Sequence, residues 1–239
     1  MDTGMRDGAR ARLLLLADSS FPTGAFAHSW GLEWAVRSGW VTDAASLLTW
    51  TRDALRFGVA PLSGRAVACA AAMAAPGTES TARKLVRLSD EVASFQPSRE
   101  AREGEAQLGR SLLRAAADAL PSLRRHPAYA AATREAAGHD DRIQHPVAWG
   151  FVGAALGIDA AELLQVFLLG TVRQWSQVAM RTVPVGQSDA VAVVGALLEE
   201  VTGLARRIAR RTRPLASATP GWDAAVLGHG ELQARYFRS

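Results

Sequence analysis

Apolar residues recur at intervals of three and four along nearly the whole chain. Nowhere do they alternate with the period of two that a half-buried strand between hairpin turns requires. Val191, Val194, Leu198, Val201, Leu204 and Ile208 form one such stripe, which Asp189 is placed to cap. Leu163, Leu164, Val166, Phe167, Leu168 and Leu169 are apolar on all sides, the pattern of a central buried helix opened by Asp159 and stopped near Pro184. Leu108, Leu112 and Leu113 mark another, running from Ser98 to Pro121. A short helix around Leu32, Trp34 and Val36 ends at Gly39. The next opens at Thr42 or Asp43 and is expected to end at Gly58 and Pro61. Pro76-Gly77 closes an alanine-rich helix around Cys69 and Met73, and Ser80 or Thr81 opens one carrying Leu85, Leu88 and Val92. The pattern predicts an all-α fold, a single-domain bundle of roughly eight to ten helices, with no internal repeat and no long linker.

At 239 residues the chain is long enough to build its core without staples. Cys69 is the only cysteine, so neither an internal disulfide nor a cysteine-based zinc site can close within one chain. The four leucines at 13–16 follow Arg6, Arg10 and Arg12, but the apolar run is cut at Asp18, short of a secretion signal, and reads as the start of a buried helix. No uninterrupted apolar segment reaches the ~18 residues of a membrane span. The net charge is +4, and Lys84 is the only lysine. Arg206, Arg207, Arg210, Arg211 and Arg213 are placed to close a helix at the negative end of its dipole. No aromatic residues interleave them, which argues against a nucleic-acid platform.

Enzyme motifs fail on inspection. A phosphate-binding P-loop needs glycines followed by Lys-Ser/Thr, and the one lysine lies in Arg83-Lys84-Leu85. Ala27-His28-Ser29-Trp30-Gly31 lacks the first glycine of a nucleophile elbow and the strand that must precede it. His139, Asp140, Asp141 and His145 have metal-ligating chemistry but not the spacing of one helix face, and read as a capped loop ahead of Pro146. His126 and His229 stand alone in sequence.

Three stretches carry more information. In Phe21-Pro22-Thr23-Gly24-Ala25-Phe26-Ala27-His28-Ser29-Trp30-Gly31-Leu32-Glu33, Pro22 and Gly24 impose a turn, and Phe21 and Phe26 are placed to anchor it. Ser29 is placed to cap a helix, and Gly31 permits a close approach by another backbone. His28, Ser29 and Glu33 would line a packed junction, a partner surface or a polar passage. The second stretch is Gln144-His145-Pro146-Val147, followed by the helix running on to Arg181, Pro184 and Gln187. The third is the terminal Gly228-His229-Gly230-Glu231-Leu232-Gln233-Ala234-Arg235-Tyr236-Phe237-Arg238-Ser239, in which Arg235, Phe237 and Arg238 join an aromatic anchor to forked donors, a set favoured at protein interfaces.

Taken in order, these stretches resemble the UreF family of urease accessory proteins, with Ala25, Gly230, Gln233 and Tyr236 as departures. The resemblance implies one helical domain over 1–239, with a flexible start over about 1–11 and a partner-binding tail over about 228–239. It implies a cytoplasmic, non-enzymatic homodimer that bridges UreD (also called UreH) and the GTPase UreG at apo-urease, coupling GTP hydrolysis to nickel delivery. Pro22, Gly24, Phe26, His28, Ser29, Gly31, Glu33, Arg181, Gln187, Glu231, Arg235, Phe237 and Arg238 are the partner-binding residues it suggests. No cofactor is expected to be held stably, although nickel in transit would pass His28, Glu33 and His145. Nucleic acid and membrane are not expected partners. A helical interaction module with no metal role is the alternative.

Overall fold

In a computed structural model the chain is described over residues 3–74, 79–138, 143–211 and 213–238, and the architecture is all-α. The α-helices are α1 (Thr3–Ala17), α2 (Leu32–Arg37), α3 (Ala44–Ala54), α4 (Arg65–Met73), α5 (Glu79–Ser94), α6 (Arg99–Ala119), α7 (Pro127–Gly138), α8 (His145–Ala155), α9 (Ala160–Thr182), α10 (Gln187–Arg210) and α11 (Pro220–His229). Helix α9 is the axis. It packs along α10 and touches α1, α2, α3, α4 and α8. Its Trp175, Leu163, Leu164 and Leu168 are fully buried, although Gly170 and Arg181 reach the surface, so this helix is not apolar-coated throughout. Helix α8 lies between α4, α6 and α9, and α11 packs on α2.

Local chemistry sets most boundaries. Asp43 accepts the Ser46 amide at 2.8 Å while Ser46 Oγ accepts the Asp43 amide at 3.1 Å, closing a capping box. Ser98 caps α6 through the Ala101 amide at 3.0 Å, and Asp159 caps α9 through the amides of Ala161 and Glu162. At α10 the N-cap is Gly186. Asp189 sits inside the helix and reaches back to the Gly186 amide at 3.3 Å.

Three expectations are corrected. Gly58 and Pro61 do not end α3; the chain runs on through a π-wound segment, Leu55–Gly64, into α4. Pro61 has no N–H to offer the Phe57 carbonyl four residues back. The Ala218 amide supplies that donor at 2.9 Å, and the Ala216 amide binds the Pro61 carbonyl at 3.2 Å. The buried stripe of α10 is Ala190, Val193, Leu197, Val201 and Leu204, whereas Val191 and Leu198 are exposed: the helix carries a wider apolar arc than α9 covers. The leucine run in α1 splits, with Leu13 and Leu16 buried and Leu14 and Leu15 outward. Helix α1 runs from Thr3, and its Ala9 packs on the core. His139, Asp140 and Asp141 lie outside the described residues. No described helix is long and apolar enough to cross a membrane.

Candidate functional site

The N-terminal signature and the C-terminal tail meet. A parallel bridge joins His28 to Arg238: the Arg238 amide donates to the Ala27 carbonyl at 2.7 Å, and the Ser29 amide donates to the Arg238 carbonyl at 2.8 Å. Gln174 on α9 holds the loop from beneath, its Nε2 donating to the Ala25 and His28 carbonyls at 2.7 and 2.9 Å. Gly31, at φ 80°, starts α2 with α11 pressed against it; a Cβ there would stand 2.8 Å from the Val226 nitrogen. The preceding residue, Trp30, is also left-handed at φ 51°. Its carbonyl accepts the Trp222 indole N–H at 2.5 Å, a contact that holds the unusual backbone in place.

Glu33 is the centre of this junction. Its carboxylate is fully buried and accepts four donors. The Tyr236 amide lies at 2.9 Å, the Phe237 amide at 3.1 Å, the Arg37 guanidinium at 3.3 Å and His229 Nε2 at 3.3 Å. On the other side of the His229 ring, Glu100 Oε2 lies 3.8 Å from Nδ1 and also pairs with Arg235 at 3.2 Å. Hydrogen-bonding and ionic groups therefore run in one line through Arg235, Glu100, His229, Glu33 and Arg37. A buried carboxylate is tolerable because every lone pair has a donor. The carboxylate thus works as a clasp that fixes the tail's backbone.

Beneath the bridge is a second buried polar group. His28 stacks on Trp30 with ring centroids 5.1 Å apart, and His145 packs against Trp149 and Phe167. Burial, with a smaller contribution from repulsion by His28, pulls the His145 imidazole from 6.5 down to about 4, so the ring is neutral at pH 7. Burial pushes the Glu105 carboxyl the other way, from 4.5 up to about 7, with only the His145 amide opposing it. Its Oε2 is shielded and has no hydrogen-bond partner. His28 and His145 are brought together here, while Glu33 pairs with His229 instead. Among the described residues no three His, Cys, Asp or Glu side chains are arranged to hold a metal.

Several expectations about these side chains change. Phe21 anchors the loop, but Phe26 is 71% exposed because the 3₁₀ turn at Ala25–Ala27 points it outward. Ser29 caps no helix with its side chain; its Oγ donates to the Arg238 carbonyl at 3.4 Å, and Gly31 takes the N-cap position. Phe237 is not an exposed anchor. It is buried under the Arg181 guanidinium, 5.8 Å from the ring centroid. The exposed aromatic is Tyr236, beneath which lies Arg37. Arg238 reaches Gln107 at 2.9 Å. Pro22, Arg181, Gln187, Glu231, Arg235 and Arg238 are exposed; Gly24 is half-buried; His28, Ser29, Gly31 and Glu33 are buried.

Two residues escaped the sequence reading. Glu105 follows Arg99, Glu100, Arg102 and Glu103 and looks like part of a solvated charge run, yet it shares a helical face with the buried Ala101, Leu108 and Leu112. His229 gave no local signal, because its partner Glu33 lies 196 positions away.

The match to known proteins is extensive. A model of the UreF family matches residues 41–198. The chain is 37% identical to the urease accessory protein UreF of Rhodopseudomonas palustris (strain BisA53) over 95% of its own length and 92% of that protein's. The chain belongs to the UreF family. The UreF of Methylorubrum populi is 36% identical over 95% of this chain and 98% of the relative, and that of Bradyrhizobium sp. (strain ORS 278) 35% over 99% and 94%. Neither the Glu33 clasp nor the tail falls within the 41–198 match to the UreF model, but the Bradyrhizobium UreF aligns across both.

Proposed function

We propose that this UreF-family chain is a scaffold in urease maturation. It would bridge UreD (UreH) and UreG homologues at apo-urease and couple GTP hydrolysis by UreG to nickel delivery. The observation that carries this reading is the clasped tail. Glu33 fixes the backbone of Tyr236 and Phe237, and the bridge from Ala27 to Ser29 fixes Arg238. Phe26, Tyr236, Arg181, Arg235 and Arg238 are exposed in and around this clasped tail, an aromatic and arginine set of the kind that dominates binding energy at protein interfaces. A partner meets a preordered surface and need not order the tail, which lowers the entropic cost of docking.

The metal's part is as cargo. His28 and His145 carry imidazoles of a kind suited to nickel, but among the described residues no third donor joins them, so the pair fits brief passage better than storage. A homodimer and a cytoplasmic setting belong to the same proposal.

The test is co-purification of the chain with UreD and UreG homologues, with and without GTP, followed by nickel loading of apo-urease. GTP-dependent activation that requires this chain is the expected result. If omitting the chain changes neither complex formation nor nickel loading, the scaffold reading is wrong.

A further inference from the structure

Farther along α6, about one turn past Gln107, four arginines converge. Arg110 and Arg114 of α6, Arg124 of the 3₁₀ turn Leu123–Arg125 and Arg134 of α7 line one cleft of about 390 Å³ whose inner wall is Leu113 and Tyr129. Only Arg124 has an ion-pair partner, Asp118. Arg110, Arg114 and Arg134 have none among the described residues. Among the described residues, these four guanidinium groups thus have one carboxylate partner between them, an excess of about three positive charges.

Among the described residues lining the cleft, no other side chain offsets that excess. The Tyr129 hydroxyl is committed to the Leu113 carbonyl, its ring stacks on Phe151, and burial pushes the phenol up to about 12, so it contributes no negative charge. Arg110 and Arg114 are four apart on one helix face, where like charges repel. Low-dielectric walls on one side of a concave surface concentrate the positive potential. Guanidinium forks bind phosphate oxygens two at a time, which a lysine cannot do.

We propose that this cleft binds a diphosphate-type anion, either inorganic pyrophosphate or the phosphate tail of a nucleotide. Three charges match a diphosphate better than a single phosphate, and the volume lies at the small end of ligand sites. The one aromatic wall is buried against Phe151 and offers no face for a base, so the phosphates carry the affinity. This inference is independent of the scaffold reading.

The full-length chain should be titrated calorimetrically with pyrophosphate and, separately, with ATP, at fixed ionic strength. Saturable binding of both with affinities within about threefold is expected, since the base adds nothing. The Arg110→Gln/Arg134→Gln variant should lose at least tenfold in affinity, while Arg207→Gln, on the exposed end of α10, should lose none. Because the double substitution relieves repulsion, the variant should melt no lower than wild type, which separates lost binding from lost fold. No saturable binding at millimolar pyrophosphate would overturn the proposal, as would equal affinity in the double variant. So would uptake of a polyglutamate peptide but not of pyrophosphate, which would give the cleft to an acidic protein.

Discussion

Glu33 and Glu105 are both buried carboxylates, and their environments send them to opposite tasks. Glu33 has four donors and holds the tail through them. In Glu33→Gln one oxygen is replaced by an amide that confronts backbone N–H groups instead of accepting from them. The expected cost is about 3 kcal/mol in urea unfolding, with faster amide exchange at Tyr236 and Phe237. A change within about 0.5 kcal/mol and unaltered exchange would mean that the clasp does not hold the tail. Glu105 has only the His145 amide, and its raised pKa makes the folded chain the better proton binder between pH 4.5 and about 7. Stability from this group therefore falls as pH rises through that window. His145 works the other way. Its folded pKa is lowered to about 4, the unfolded chain binds more protons between 4 and 6.5, and stability rises with pH there. The two slopes nearly cancel from pH 4.5 to 6.5, leaving only the Glu105 loss above it. Glu105→Gln mimics the protonated acid, so it should leave stability at pH 4 unchanged and raise it at pH 8 by up to about 3 kcal/mol. Chemical denaturation across pH checks this; a variant no more stable than wild type at pH 8 would show that burial does not raise the Glu105 pKa.

Helix boundaries were legible where one side chain answers to its own neighbourhood. Asp43, Ser98 and Asp159 each satisfy amides two or three residues ahead; the sequence names Ser98 and Asp159 and narrows the third to Thr42 or Asp43. The π-wound stretch was not legible, because the donors for the Phe57 and Pro61 carbonyls come from residues 218 and 216, more than 150 positions on. Pro61 reads locally as a stop and acts as a deviation that a remote strap satisfies. The α10 stripe was half right for a related reason: three-and-four spacing fits two adjacent faces, and only contact with α9 decides which is buried. Packing between elements also hides in glycines. Gly150 on α8 lies so close to α4 that a Cβ would stand 2.2 Å from the Val67 carbonyl oxygen, and backbone cannot yield as a side chain can. Gly150→Ala should cost about 3 kcal/mol by forcing α8 away from α4, measurable as a drop in denaturant midpoint with an unchanged slope. A near-neutral result would mean that the two helices slide freely, contrary to their fit.

At the scale of the molecule, the chain's two ends build one surface. The helical class, the core helices and the signature loop were all readable from spacing and motifs, but the closure of loop on tail was not. It depends on Glu33 meeting His229 and on Ser29 meeting Arg238, pairs separated by about two hundred positions with no local signature. The tail therefore has two jobs, and a test of partner binding has to separate them. Removing Phe237 or the whole tail opens the core and strips donors from Glu33, so lost assembly would not distinguish a missing contact from a weakened fold. Phe26 and Tyr236 are 71% and 78% exposed, and their side chains contribute to the face without closing the junction. Phe26→Ala with Tyr236→Ala should leave the melting temperature within about 2 °C of wild type, as surface changes do in a domain of this size. The same variant should weaken capture of the UreD or UreG homologue at least tenfold, the loss of about 1.4 kcal/mol expected from one aromatic hot spot. Melting curves and a pull-down titration on one preparation decide it. Full capture by a variant with an unchanged melting temperature would move the docking face elsewhere on the bundle, whereas lost capture with an intact fold would assign it to the surface that Glu33 holds in place.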